Sequence, residues 1–392
     1  MNIEYTEQKT LQQSGWRSPF ALLALMTVAM PLAFSTWYAL LNNFVVERAQ
    51  YTGADIGLLQ SVREIPGFLA FTAVFVLLVL REQRFAILAL LTLGLGVSLT
   101  GFFPSSMGLL CTTFIMSVGF HYFETLKKSL ALQWLPKDQA PALLGKLLGL
   151  SSASSLVVYA FIVWQPLGYE STYLLGGGLC IVLALFMFLA YPLFPEQEPQ
   201  HKRLFLRRRY WLYYALVFMS GARRQIFMVF AGFMMVEKFH YDVSDIATLY
   251  LINHAINSVI AAPIGRWINR VGERTALSFE YIGLILVFVS YAFVDNAELA
   301  AGLYIIDHLF FSMAIAINSY FQKIADPKDI AATSGVSFTI NHIAAVVIPV
   351  SFGLLWMTSS AAVFLLGAAM ALGSLILARR IPSAPSPGNE VR

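Results

Sequence analysis

The chain has 392 residues, 58% of them hydrophobic and 12% charged, roughly half the charged share of a soluble domain. That is more apolar side chain than a water-soluble core of this length can bury, which excludes a soluble globular protein. The net charge of +4 is spread over many loops and forms no single patch, which argues against a nucleic-acid partner.

Positions 1–17 are polar and carry both signs. They lack the basic start and short apolar core of a secretory signal, so the first apolar block reads as a retained span. From there the chain alternates between apolar blocks and short polar connections. Spans are predicted at 18–43, 55–80, 85–103, 107–132, 140–165, 171–194, 210–235, 244–268, 275–294, 298–322, 331–357 and 360–379. Runs of about 20 residues match a hydrocarbon layer of roughly 30 Å at about 1.5 Å rise per residue. Only helices and closed barrels satisfy their backbone there, and these blocks lack the alternation over about 10 residues that barrel strands show. The fold class is therefore an all-α membrane protein with twelve transmembrane helices in two pseudo-symmetric six-helix bundles. The bundles are 1–194 and 210–392, the second with a short tail, and 195–209 links them. Cys111 and Cys180 fall in apolar blocks and form no ligand set. No cofactor and no metal site is expected.

Lys and Arg lie asymmetrically. Counted by alternate loops, 21 share one face and two, Arg48 and Lys238, lie on the other, while Arg63, Arg223 and Arg224 are mid-span, which accounts for all 26. Cytoplasmic loops retain basic residues. Both termini are expected in the cytoplasm, in a bacterial inner membrane, with the basic run 202–209 beside anionic lipid. The chain also repeats itself. Val46-Glu47-Arg48 stands against Val236-Glu237-Lys238, Tyr51 against Tyr241, and Asp55-Ile56 against Asp245-Ile246, all at one constant offset in numbering. Pro136-Lys137-Asp138 stands against Pro327-Lys328-Asp329, one position beyond that offset.

After the eighth predicted span the sequence reads Gly265-Arg266-Trp267-Ile268-Asn269-Arg270-Val271-Gly272-Glu273-Arg274. With the six-plus-six pattern, the central basic linker and the parallel repeat, this loop resembles the major facilitator superfamily and its G-x-x-x-D-R-x-G-x-R signature, with Asn269 where Asp is usual. The resemblance implies halves related by an axis along the membrane normal. It also implies that Gly265, Asn269, Arg270, Gly272 and Arg274 brace a cytoplasmic gate. The equivalent loop in the first half, Arg81-Glu82-Gln83-Arg84, is degenerate. The fifth span lacks the proline-glycine signature of proton-driven drug exporters.

Six charged residues lie deep in predicted spans: Arg63, Glu64, Glu124, Arg223, Arg224 and Asp307. Each costs about 2.5–3.5 kcal/mol at a helix centre if unpaired, so they are expected to be paired, hydrated or both. Counting about 1.5 Å per residue from the span ends places five of them at one level. The repeat sets Arg63-Glu64 against Asn253-His254. Ser117, His121, Glu124 and Lys128 form one helical stripe, Asp307, Phe311, Asn318 and Gln322 another, and Tyr38 and Asn42 share a face. In the family these stripes fall on cavity-lining spans. Arg223 and Arg224 point about 100° apart, and Arg224 is expected to face the cavity.

Substrate binding is expected at Arg63, Arg223, Arg224, Tyr38, Asn42, Phe311, Asn318 and His254. Proton coupling is expected at Glu124, Asp307, Glu64 and His121. The pairs His121–Glu124 and Asp307–Arg224 are singled out, and Trp37 is added as a cavity aromatic. Arg suits carboxylate and phosphate because its planar fork donates in pairs. The reading is a monomeric secondary transporter of a small organic solute, an anion first, driven by protons through alternating access. A polyspecific exporter of amphipathic cations, with its acidic groups facing the solute, is the alternative. An intramembrane enzyme lacks any nucleophile, zinc or phosphate-loop motif, and a sensor lacks a signalling domain.

Overall fold

The computed structural model describes residues 15–135, 140–165, 167–195, 206–326 and 329–392. Positions 1–14, most of the 195–209 linker, Pro136-Lys137-Asp138 and Pro327-Lys328 lie outside them. Among the described residues, twelve helical spans follow the predicted order. They are α1 (Pro19–Ala49), α2 (Gly53–Phe68, then a 3-10 turn Leu69–Thr72 and a helical turn Ala73–Val76), α3 (Glu82–Thr100), α4 (Ser106–Trp134), α5 (Ala140–Trp164) and α6 (Tyr169–Ala190). The second set is α7 (Trp211–Ile226, a π turn Phe227–Ala231, then Gly232–Glu237), α8 (Val243–Val271), α9 (Glu273–Phe293), α10 (Ala297–Phe311, a 3-10 turn Ser312–Ala314, then Ile315–Ile324), α11 (Ile330–Trp356) and α12 (Ser360–Arg379). Nine of these are long and apolar enough to cross a membrane on those grounds alone. The others are α2 and α7, which are interrupted, and α8, which carries Asp245, Asn253, His254, Asn257, Arg266 and Arg270.

The sequence repeat recurs as geometry. Thr52 opens α2 with its backbone N–H donating to Asp55 Oδ2 at 2.9 Å. Asp242 opens α8 in the same way, its N–H donating to Asp245 Oδ2 at 3.0 Å while Asp245 N–H donates back to Asp242 Oδ1 at 2.8 Å. This reciprocal cap satisfies donors that a helix start leaves open. Just before each cap stands a non-glycine residue in the left-handed region, Gln50 at φ 53° and His240 at φ 57°. At the start of α3, Glu82 accepts from Gln133 of α4 at 2.6 Å. At the start of α9, Glu273 pairs with Lys323 of α10 at 2.5 Å. Each of these correspondences falls at the offset of the sequence repeat or one position beyond it, so the degenerate first-half loop keeps its carboxylate contact.

The chain forms two compact units, Met1–Ala49 with Pro66–Gln200, and Gln50–Ile65 with His201–Arg392. In the first, small residues bring backbones together, as is usual where lipid offers no hydrophobic drive between helices. A Cβ on Gly96 of α3 would sit 2.4 Å from the Met116 nitrogen of α4, and one on Gly119 of α4 would sit 2.2 Å from the Leu93 nitrogen of α3.

In the second unit the first half of α2 packs on α11. A Cβ on Gly57 would meet the Pro349 carbonyl at 2.3 Å, and one on Gly53 would enter the Trp356 ring. Pro349 disturbs the α11 ladder, since proline clashes with the carbonyl four residues back. The nearby Val350 N–H donates to Ser61 Oγ of α2 at 2.9 Å. Trp356 also donates its indole N–H to Glu237 Oε2 at 3.0 Å. At the start of α7, the buried Tyr210 donates to Asp329 Oδ2 at 3.0 Å and Arg207 reaches Asp329 Oδ1 at 3.1 Å. Arg209 lies 3.9 Å from Glu390 of the tail. Residues of the basic run that were expected to meet lipid thus tie α7 to neighbouring protein.

Candidate functional site

In the first unit, Phe34 of α1 stacks on Phe120 of α4 at 4.2 Å and lies 6.1 Å from Tyr38. Phe34, Tyr38 and Phe120 are all half-buried, whereas Asn42 is buried and Trp37 is fully buried. Trp37 therefore packs the bundle and does not line a cavity. His121 is buried, its Nδ1 2.9 Å from Ser117 Oγ and 3.0 Å from the Ser117 carbonyl. Glu124 is half-exposed and accepts from Lys127 one turn on. The expected His121–Glu124 pair is thus replaced by two local pairings along α4, because Ser117 and Lys127 lie one turn away on either side.

In the second unit, the predicted charged level resolves into three groups. In the first, Arg63 Nη2 donates to Glu64 Oε1 and the other Glu64 oxygen lies 3.7 Å from His342 Nε2 of α11. The His342 Nδ1 sits 2.9 Å from the Phe338 carbonyl, so Nε2 is the nitrogen left for the carboxylate. All three side chains are buried.

The second group is Arg223 of α7 with Glu280 of α9. Arg223 Nη2 lies 3.8 Å from Glu280 Oε1, with the two side chains 3% and 1% exposed. The guanidinium carbon is 4.5 Å above the centre of the Tyr281 ring. Neither Glu280 oxygen has a hydrogen-bond partner among the described residues, nor do Arg223 Nε and Nη2. Asp307 of α10 is buried. The expected Asp307–Arg224 pairing is corrected here: Arg223 is the arginine that turns inward to a carboxylate, that of Glu280.

The third group is Arg224 itself. It is exposed, its guanidinium 5.1 Å above the Phe311 ring and its Nε donating to Met228 Sδ at 3.0 Å. Both helices break at this point. The N–H of Phe227 is shared between the Arg223 and Arg224 carbonyls as α7 passes into its π turn, and α10 passes into its 3-10 turn directly after Phe311. Such interruptions release backbone from the ladder and recur at functional positions. Ser312 donates to Asn257 Oδ1 of α8 at 2.7 Å. His254, one turn before Asn257, is half-buried and Asn318 is exposed.

The expected gating loop is a single residue. α8 runs to Val271, beyond the predicted end at 268, so Gly265, Asn269 and Arg270 are helical. Gly272, at φ +82°, ends α8 and begins α9 at once; only glycine takes that conformation without strain. The charge held at this turn is that of Glu273, which is buried and accepts from Ser319 Oγ at 2.7 Å besides pairing with Lys323. Arg274 lends its carbonyl to Ser278 Oγ.

Glu280 was missed by the sequence reading although it lies in the predicted ninth span. Its nearness to the span start hid its depth; the signal available was a lone carboxylate between Phe279 and Tyr281.

A family model for the Major Facilitator Superfamily matches residues 25–349. The chain belongs to the major facilitator superfamily. Among solved structures it is similar to a variant of the nucleoside transporter NupG, with a TM-score of 0.78 and 14% identity over 92% of this chain and 99% of that one. Unmodified NupG gives 0.72 and 13% over 92% and 98%. A bacterial homolog of the human lysosomal transporter Spinster, inward-facing and occupied, gives 0.68 and 12% over 93% and 95%. No curated protein matches by sequence. As a superfamily member this is an integral multi-pass transporter of a small-molecule substrate in a lipid bilayer, and not an enzyme.

Proposed function

We propose that the protein moves a small organic anion across the membrane by alternating access, driven by protons. Both termini are cytoplasmic in this reading, and the bundles 1–194 and 210–392 move about the 195–209 linker. The observation that carries it is Arg224: an exposed intramembrane guanidinium stacked on Phe311, where α7 and α10 both leave regular helix. A stacked guanidinium presents its edge, and that edge matches a carboxylate or phosphate with two parallel donors. Arg63 and Arg223 lie buried beside Glu64 and Glu280, which makes them supporting groups, whereas the exposed guanidinium edge of Arg224 is the anion contact. Asp307 and Glu64 are the coupling carboxylates of this reading.

A polyspecific cation exporter would turn its carboxylates toward the solute. Here Glu64 holds Arg63, Glu124 holds Lys127 and Asp307 is buried, which favours the anion. The test is a thermal-shift screen of purified protein at two pH values, with organic anions, nucleosides and cationic drugs side by side. Anions should stabilise the wild type, with the shift lost in Arg224→Ala and partly kept in Arg224→Lys. Stabilisation by cations alone, or full anion response in Arg224→Ala, refutes the proposal.

A further inference from the structure

We propose that a groove on the first unit, over the N-terminal end of α1, holds one resident anionic phospholipid, an acyl chain lying along α1 and the headgroup phosphate meeting Arg17 and Lys146.

The groove has a volume of about 660 Å³. Ala21, Ala24, Leu25 and Val28 of α1 form its floor, with Leu150 of α5 and Phe186 of α6 beside them. The four floor positions recur at i, i+3, i+4 and i+7, a single helical stripe. Both flanking helices are pinned to α1 at or beyond the inner end of this stripe. Ser154 Oγ of α5 donates to the Val28 carbonyl at 3.0 Å, and a Cβ on Gly176 of α6 would sit 2.8 Å from the Leu32 carbonyl. From Val28 back to Ser18 the floor runs about 15 Å at about 1.5 Å per residue, half of a hydrocarbon layer of roughly 30 Å. That is the depth of one leaflet. A chain seated there touches protein along its floor and flanks, and so gains dispersion contacts that lipid against a flat helix face does not.

The open end supplies the charge. Trp16 stacks on Phe186 at 6.4 Å and meets Tyr191 edge-on at 5.9 Å, and the Tyr191 hydroxyl donates to the Trp16 carbonyl at 2.6 Å. Trp and Tyr at helix ends sit at the level of lipid headgroups. The Arg17 guanidinium carbon lies 4.7 Å over the Trp16 ring, which holds the cation at the mouth. Lys146 lies one turn before Leu150 and two before Ser154, on one row of α5. Counted from the Ser154–Val28 bond, Lys146 lies about 12 Å and Arg17 about 16 Å toward that end, so the two cations stand near one level. Both are exposed, no residue lining the groove is acidic, and among the described residues neither cation enters an ion pair. An apolar trough with cations at its mouth complements an acyl chain that carries a phosphate. Positions 1–14 adjoin the mouth in sequence but are polar, with Glu4, Glu7 and Lys9, and do not match an apolar floor.

The repeat shows that the common fold does not call for a groove here. The offset that relates Glu47 to Glu237 sets Ala21 and Ala24 against Trp211 and Tyr214. Allowing one residue for the π turn of α7 sets them against Tyr210 and Tyr213. In either register the second half carries large rings where the first keeps alanine.

Native mass spectrometry tests this on the full-length protein, delipidated in mild detergent and titrated with phosphatidylglycerol or phosphatidylcholine of the same acyl chains. The wild type should bind its first phosphatidylglycerol roughly 25-fold more tightly than phosphatidylcholine, at roughly 5-fold per basic side chain. Arg17→Gln and Lys146→Gln should each lose roughly 5-fold of that preference and the double variant all of it. Both positions are exposed, so these variants leave the packed core intact. Arg379→Gln, at the exposed end of α12, should lose none; an equal loss there would make the preference a matter of net charge and overturn the site. Ala24→Trp fills the floor and should remove the first adduct of either lipid. Equal binding of the two lipids to the wild type, or an unchanged preference in the double variant, overturns the proposal. So does a first adduct that survives Ala24→Trp, or a wild-type dimer that Ala24→Trp splits, which would assign the groove to a second copy of the chain.

Discussion

The contact between α2 and α11 is tight enough to be tuned by one methyl group. A Cβ on Gly57 would lie 2.3 Å from the Pro349 carbonyl oxygen, against 3.4 Å for the near edge of ordinary contact. The helices must part by about 1.1 Å, the difference of those two distances. Neither side can yield by rotating a side chain, because both partners are backbone. Overpacking of this kind costs about 1–3 kcal/mol. If alternating access requires this half of α2 to separate from α11, the cost falls only on the associated state. Gly57→Ala then shifts the equilibrium toward the separated one by roughly 5- to 150-fold. Spin labels replacing Leu58 and Leu354, which are 44% and 64% exposed, report the separation by pulsed electron resonance once Cys111 and Cys180 are replaced. Gly57→Ala should move the distance distribution to the longer population. Gly178→Ala, where a Cβ meets nothing within 4 Å, is the control and should leave it unchanged. A wild-type distribution in Gly57→Ala refutes the idea that this contact is one that opens.

Three further outcomes are expected. Arg223→Met leaves Glu280 buried without the guanidinium that lies 3.8 Å away, and removing one partner of a buried pair costs more than removing both. Arg223→Met should therefore lower the unfolding midpoint more than the Arg223→Met, Glu280→Met double variant does, and the reverse order would show that the two are not paired. Lys323→Ala leaves Glu273 buried without its cation, whereas Glu273→Gln keeps a neutral group able to bond Ser319. The first should lower the unfolding midpoint more than the second, and the reverse order would show that Glu273 is not held as a carboxylate. Arg224→Ala should abolish solute-dependent stabilisation and leave the unfolding midpoint within about 0.5 kcal/mol of wild type, as for an exposed group outside the packed core; a large stability loss would make Arg224 a structural residue.

What could be read in the sequence follows from how locally each feature is encoded. Span positions rest on runs of about 20 apolar residues. The repeat rests on short loop identities such as Asp55-Ile56 and Asp245-Ile246, and the paired caps at Thr52 and Asp242 show that those residues were kept for backbone reasons. The helix interruptions at Phe227–Ala231 and Ser312–Ala314 carry no proline or glycine, so no local signal announced them; they arise where tertiary packing overrides helix propensity. Partner choice was hidden for the same reason. Arg223 and Arg224 are equivalent in a linear reading, and only the packing of α9 decides that Arg223 meets a carboxylate. Glu280 has no charged neighbour within a helical turn and, by the alignment of Glu273 with Glu82, stands against Ala89 in the repeat, so neither periodicity nor repeat comparison marks it as half of a pair. Yet that mismatch is itself informative. Where two halves share caps and loop braces, a buried position that is apolar in one half and charged in the other is free of any demand of the common fold. Arg223 and Glu280 are buried positions of this kind, with the buried Ala33 and Ala89 as their equivalents in the other half.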